Sequence, residues 1–528
     1  MLRSLQGENA PYKRWELPFA VVVTAAFVLF VEWTAGQHEM WRDEIQAWLL
    51  ARDSTGPIDL HRHLKYEGHP GLWHLLLMLA TRLSWSPVGM QILHLAIAAA
   101  AVFLFTRYAP FHPAARALFA FGYFPSYEYA VVCRNYGVGM LLLFAFAALF
   151  QHRFKYFHWI GAALLLACHT SVHALIVVIA LAFGLTLEAL IRRREIAEAE
   201  PLERRRVWIG FALIGVGILT AVLQLKPPPD YGFAVGWHTS WDPNRARNIL
   251  ERLNWAYFMV PKENGWGSHA LYDWGFYNAH KLWFSVGLAS LFLISLWRRP
   301  SAVLAYGTAT VGLLTFFYMK YPGSIRHHGF LYLSLAVLAW TARYWSAPLA
   351  VPRFLERFHP HWKRAAAVGL ALLFGLHAFG GLRAHSWDRR VVFSRAQETA
   401  EYLREAGYQD AYIIAHEDAP TSAIVGFLQN ERFYYTRGTR FGSFVRWDLE
   451  RSRSATNREV AQTALDREHE TLIALSGSLS EEVLEENPRI ELLRSFMGPA
   501  AIGNERYNIY LVKSKQEFDK ETEDSAEE

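Results

Sequence analysis

Apolar residues along this chain come in long runs separated by short charged connectors. The runs are 17–35, 88–107, 114–133, 136–151, 156–168, 171–191, 207–225, 282–297, 301–319, 328–345 and 365–382. Crossing a bilayer takes about 20 mostly apolar residues in a helix, so the pattern predicts about eleven transmembrane helices. One further run, 72–85, is shorter. At a rise of about 1.5 Å per residue it does not cross comfortably, and its Trp73, His74 and Trp85 suit a helix lying at the membrane surface.

After position 382 the pattern changes. Short apolar runs at 411–415, 433–435, 471–474, 490–496 and 507–512 read as strands. Amphipathic stretches at 397–406, 422–428, 457–466 and 480–486 read as helices between them. Strands alternating with helices predict a small α/β layer, without a glycine-rich phosphate loop. The tail 514–528 is highly charged and is expected to lack fixed structure. The fold class is therefore a polytopic α-helical membrane protein with a C-terminal soluble α/β domain. Its expected parts are a membrane domain over 1–385, with external loops 36–86 and 226–281, a soluble domain over 386–513, and the tail.

Charge then orients the spans. Arg153 with Lys155, Arg192, Arg193 and Arg194 with Arg204, Arg205 and Arg206, Arg298 with Arg299, and Lys363 with Arg364 belong on the cytoplasmic side. They agree with one another, and with Lys13 and Arg14, only if 72–85 does not cross. Loops 36–86, 226–281 and 320–327 and everything after 386 then share the outer side, and any chemistry is external. Of the residues 52% are hydrophobic and 19% charged, and the net charge is +5. These basic residues serve topology, so a nucleic-acid partner is not expected. The two cysteines, Cys133 and Cys168, make no disulfide framework, although both fall near outer helix ends and a bridge between them stays open.

Several motifs carry polar groups to that outer side. Trp41-Arg42-Asp43-Glu44 opens an amphipathic stretch just after the first span. Carboxylates at a membrane interface are costly and point to function, but acidic residues also favour a helix N-terminus. Tyr66-Glu67-Gly68-His69-Pro70-Gly71 opens the surface helix, with His69 either a polar cap or a site residue. In Lys320-Tyr321-Pro322-Gly323-Ser324-Ile325-Arg326-His327-His328, a lysine and an arginine beside two histidines make a phosphate clamp, against simple snorkelling of basic side chains. Glu128 and Arg134, at the third run, read as a site pair or a structural ion pair. His169 and His173 stand four apart on an outer helix end, a spacing that can ligate a metal, though two histidines are thin evidence for one. The aromatics of loop 226–281 suit an interfacial belt, with some contacts to an acceptor.

A first span, an external Asp43-Glu44, then His69-Pro70 with Leu72 and an apolar surface stretch resembles the GT-C superfamily of membrane glycosyltransferases. The closest branch is that of the protein O-mannosyltransferases and lipid A aminoarabinose transferases. Phe124-Pro125 and Cys133-Arg134-Asn135-Tyr136 are similar to that branch's Pro and Arg-Pro-Tyr stretch. Pro70-Gly71 departs from the usual Pro-Pro, and Asn135 from the usual Pro. The resemblance implies a GT-C-like fold in a bacterial plasma (inner) membrane, with the C-terminal domain periplasmic. It also implies transfer of a hexose or pentose from a polyprenyl-phosphate donor to an acceptor hydroxyl on a lipid, glycan or protein. Asp43 would be the general base and Glu44 the supporting acid. Arg326, Lys320 and Arg134 would bind the donor phosphate, with His69, Glu128, His327, His328 and Tyr136 nearby. No cofactor is fixed by the resemblance, since relatives differ in their use of a divalent metal. The competing classes are a transporter of lipid or sugar, whose charges would sit near the bilayer midplane, and a non-catalytic assembly protein that keeps the fold.

Overall fold

The computed structural model describes residues 14–233, 235–263, 265–349, 358–452 and 454–527. Among these, eight helical segments are long and apolar enough to cross a membrane. They are Glu16–Ala35, Val88–Tyr108, Tyr136–Cys168, Val172–Ile191, Pro201–Gln224, Gly275–Leu296, Pro300–Met319 and Pro360–Asp388. The protein is thus a multi-pass membrane protein, and the difference from eleven expected runs has local causes. Tyr136–Cys168 folds as two shorter helices, Tyr136–Leu149 and Arg153–Cys168. They pack against each other, and Asn135 Nδ2 at the start donates to the Thr170 carbonyl just past the end at 2.6 Å. The run 328–345 is the 17-residue helix Ile325–Thr341, buried along nearly its whole length.

The run 114–133 is not one helix. Pro113–Ala120 is α-helical, Tyr123–Glu128 forms a turn of π-helix, and the chain is then irregular to the helix at Tyr136. Gly122 and Pro125 interrupt the backbone ladder. Irregular backbone at this depth persists only where protein covers it, and every residue from Phe124 to Cys133 is buried. The run 72–85 holds a short helix, Leu72–Thr81, ten residues long, with Leu75 and Leu79 exposed.

Small residues set the tightest helix packing. A Cβ on Gly161 would stand 2.5 Å from the Gly210 carbonyl oxygen, so Arg153–Cys168 and Pro201–Gln224 meet backbone to backbone, as small-residue contacts in membranes do. Under the connector beyond them, Arg153 pairs with Glu188 at 2.8 Å with both side chains nearly buried.

After the last long helix the chain forms a six-stranded mixed sheet: β1 Ile413–Ala415, β2 Phe433–Tyr435, β3 Arg440–Gly442, β4 Thr471–Leu475, β5 Ile490–Phe496 and β6 Tyr507–Val512. The order is β3-β2-β1-β4-β6-β5, with β1 parallel to β2 and β4 and the other pairs antiparallel. Helices Ala396–Glu405, Asp418–Leu428 and Asn457–Leu465 cover it. The sheet is not a separate body. Helix Asp418–Leu428 lies on helix Arg42–Asp53, where a Cβ on Gly426 would meet Ile45 at 2.4 Å. One apolar cluster joins Trp48, Leu49, Trp73 and Leu77 to Ile413, Ile424 and Val425. The tail, expected to lack fixed structure, is helical over Lys515–Glu527, as a segment rich in Glu favours. Cys133 and Cys168 are both free and buried, which closes the question of a bridge between them.

Candidate functional site

Residues from loop 36–86, loop 226–281, the segment at 320–327 and the C-terminal domain meet on one side of the bundle. Tyr66 donates to Asp230 at 2.8 Å, Gly232 N donates to the Trp447 carbonyl at 2.9 Å, and Gln46 exchanges two hydrogen bonds of 2.8 Å with the backbone of Val445. They enclose a cavity of about 460 Å³. Asp43, Glu67, His69, Arg134, Lys320, Arg326, His173 and His327 line its polar part, and Val172, Phe316, Phe233 and Val235 give it an apolar wall.

Asp43 stands in the first turn of helix Arg42–Asp53. Arg326 Nη2 donates to Asp43 Oδ2 at 2.8 Å, and Arg134 Nη1 lies 3.6 Å from the same oxygen. Arg134 also donates to the Asp43 carbonyl. The Arg326 guanidinium lies over the rings of Trp41 and Trp266, 5.5 and 6.0 Å from their centroids, a cation–π arrangement that holds its plane. Its carbonyl accepts from Tyr129 Oη at 2.6 Å. That close approach needs Gly329, where a Cβ would stand 2.2 Å from the same hydroxyl. Arg326 Nε, His69 Nδ1 and both nitrogens of His173 are buried without a hydrogen-bond partner among the described residues. Unpaired buried nitrogens around one cavity call for an explanation, and an anionic oxygen would supply one for Arg326 Nε, which is always a donor.

Of the other residues singled out from sequence, some sit behind the wall. Tyr136 Oη meets His327 Nε2 at 2.8 Å, and His327 stacks on His173 at 4.6 Å between centroids. Lys320 donates to the Val235 carbonyl and lies over Trp237. His328 turns away to the Pro322 carbonyl at 3.0 Å. Glu128 is buried and accepts from Tyr123 Oη at 2.8 Å; its hydrogen-bonding partner is a phenol, not Arg134. His169 and His173 part company, because His169 reaches Thr220 and Gln224. Among the described residues no group of three or more His, Cys, Asp or Glu is placed to hold a metal ion.

Glu44 is not on the cavity wall. Consecutive helix residues point about 100° apart, so Glu44 faces inward as Asp43 faces the cavity. Its carboxylate accepts from Cys133 N at 2.6 Å, Trp41 N at 3.2 Å and His38 Nε2 at 3.1 Å. His38 Nδ1 in turn meets Asp388 Oδ2 at 2.9 Å, which also accepts from Tyr127 Oη at 2.7 Å. Burial alone would lower the His38 pKa, but Asp388 and Glu44 outweigh it and hold it well above the usual value. The charged imidazole therefore ties Glu44, beside Asp43, to Asp388, and Glu44 in turn holds the stretch of Arg134 through Cys133 N. His38→Phe would leave two buried carboxylates without their cation, and is expected to cost about 3–5 kcal/mol, read as a lower Tm in detergent. Because the folded pKa is raised, this contribution is complete below about pH 6.5. It is lost only as pH rises through that higher folded value.

Sequence reasoning missed two cavity features. Glu67, beside the expected His69, lines the cavity and accepts from Gln46 Nε2 at 2.7 Å; burial pushes its pKa up to about 7. The C-terminal domain supplies Ser422, Val445, Trp447 and Asn504 to the wall. It also supplies the buried Glu505, which accepts from Arg42 N at 3.2 Å and is pushed by burial to about 8.

No family model matches the chain, and no curated protein matches it. Similar solved structures include ArnT from Cupriavidus metallidurans bound to undecaprenyl phosphate, at 12% identity over 95% of this chain and 98% of that one, with a TM-score of 0.49. The same protein in the apo state gives 13% identity over 93% and 97%, with a TM-score of 0.48.

Proposed function

We propose that this protein is a membrane glycosyltransferase of the GT-C type, taking a sugar from a polyprenyl-phosphate donor and passing it to an acceptor hydroxyl on the outer face of a bacterial inner membrane. The observation that carries the reading is the Asp43–Arg326–Arg134 cluster, with one carboxylate oxygen held by two guanidinium groups on the wall of a cavity that both charged and apolar residues line. A lipid phosphate needs that combination, and guanidinium groups bind phosphate oxygens with two hydrogen bonds each. The order of the sequence motifs supports the same class.

In this reading Arg326 and Arg134, with Lys320 on the same wall, take the donor phosphate and neutralise the charge that grows on it as its bond to the anomeric carbon breaks. Asp43 holds the two guanidinium groups in register, and turnover depends on it. The reacting site takes its wall both from the helical part of the chain and from the C-terminal part, which supplies Ser422, Val445, Trp447 and Asn504. The test is direct. Purified protein given polyprenyl-phosphate hexoses and pentoses with a membrane extract as acceptor should yield glycosylated product by mass spectrometry. Donors left intact by an otherwise folded preparation would reject the reading.

A further inference from the structure

At the end of the bundle away from Asp43, several long helical segments stop or start together. Gly275–Leu296 ends there, Pro300–Met319 and Pro360–Asp388 begin there, and Val88–Tyr108 ends just before Pro110. Helix Pro300–Met319 joins this end to the Asp43 cavity. Arg299, just before the helix, belongs to the one, and Phe316 and Lys320 to the other. Its 20 residues span about 30 Å, the thickness of a bilayer's hydrocarbon core. This end therefore lies at the opposite membrane surface, at the level of lipid phosphates.

Between these helix ends is a cavity of about 100 Å³, with Arg299, Arg343 and Lys363 on its wall and, among the described residues, no acid. Phe292, Ala366 and Leu370 give it apolar lining. A second apolar slot of about 70 Å³ adjoins it, sharing Phe111, Ala367 and Leu370. The positive charge is not neutralised from within. Arg299 Nε donates to the Trp345 carbonyl at 3.2 Å and Arg343 Nη2 to the Tyr344 hydroxyl, both neutral acceptors. Lys363 has no acidic partner among the described residues. Burial and then Arg298 hold the Arg299 pKa below its usual value, opposed by Glu188. Glu188 is already taken by Arg153 and by the Ser346 hydroxyl, each at 2.8 Å.

Basic residues that only orient a membrane protein stand in loops beside the headgroups. These three instead surround an opening between helices that apolar side chains also line, and basic pockets of that kind hold anionic lipid headgroups. We infer that this is a binding site for one anionic phospholipid, with its phosphate at Arg299, Arg343 and Lys363 and its acyl chains in the two slots beside Ala367 and Leu370. A free phosphate ion would use the charges and leave the apolar slots unfilled; a lipid uses both. The site stands apart from the Asp43 cavity and does not depend on the glycosyltransferase reading.

The test mixes delipidated full-length protein in detergent with phosphatidylglycerol, or with phosphatidylcholine of the same acyl chains, and counts bound lipid by native mass spectrometry. Wild type is compared with Arg343→Gln/Lys363→Gln, with Ala367→Phe, and with Arg204→Gln/Arg205→Gln as control. Arg204 and Arg205 lie in the first turns of helix Pro201–Gln224 and not on the cavity wall. Wild type should retain one phosphatidylglycerol in preference to phosphatidylcholine. Each basic residue near a lipid surface contributes about fivefold in affinity, so the Arg343/Lys363 variant should bind roughly 30-fold more weakly. Ala367→Phe keeps the charges and fills the slots; losing contact for about two methylene groups weakens binding about tenfold. The control should bind as wild type does. Arg343 and Lys363 both reach solvent, so folding is kept, and Lys363→Gln alone should still show about a fivefold loss. Equal retention of the two lipids overturns the site, as does an equal loss in the control. A loss confined to the charge variants, with Ala367→Phe unchanged, makes the contact a general surface attraction and overturns it too. Displacement of the lipid by inorganic phosphate, but not by chloride at the same ionic strength, makes it a small-anion site and overturns the lipid assignment.

Discussion

Asp43→Asn is expected to leave the protein folded and inserted and to lower sugar transfer by at least about 10²-fold. The substitution keeps the side chain's shape. It removes the charge that faces Arg326 and Arg134, so the two guanidinium groups lose their common anchor and repel one another in a half-buried setting. Preorganised charge at a leaving group is worth the most where water is excluded, and a displacement of either arginine by an ångström is costly. Asp59→Asn, in the same outer loop, is the control. Asp59 caps its own turn through Thr55 N at 2.9 Å and is not on the cavity wall, so its loss should change turnover little. Both are read as donor consumption in detergent.

Arg326→Ala carries the second large effect, this time in binding. A charge-assisted hydrogen bond contributes about 1.5–3 kcal/mol, which is roughly a 10–150-fold weakening of affinity for the lipid phosphate. Arg326→Lys should recover little, because a lysine lacks the flat two-pronged donor face. It also lacks the geometry that Trp41 and Trp266 hold in place. Native mass spectrometry with undecaprenyl phosphate reads the affinity directly. Equal binding by wild type and Arg326→Ala would remove this arginine from the donor site.

The chain's pattern made much of this legible. Apolar runs placed the long helices, and the strand and helix segments after 382 were placed to within a few residues. β3 escaped because Arg-Phe-Gly at 440–442 is too short and too exposed to carry a pattern. The broken run at 114–133 was written in Gly122 and Pro125, but its apolar content hid the break. Asp43 and Arg326 could each be singled out from local context, whereas their contact across 283 positions has no local signal. Glu44 followed Asp43 so closely that both read as site residues; helical geometry separates them and gives Glu44 to the buried His38 and Asp388. Glu67 was passed over for its neighbour His69, because nothing in the residues 66–71 shows that Gln46 and Val445 will fix it in place. The contribution of Trp447, Asn504 and Glu505 depends wholly on how a domain some 400 residues away docks onto helix Arg42–Asp53, and the sequence of that domain carries no trace of it.

The central claim is that this cavity breaks the bond between a sugar and a polyprenyl phosphate. The most direct test measures free undecaprenyl phosphate released from undecaprenyl-phosphate sugars by wild type and Asp43→Asn side by side, with a membrane extract as acceptor. Release by wild type should depend on the extract and be at least about 10²-fold faster than by the variant, with both proteins folded. Release at the same rate from both, or from neither, would contradict it.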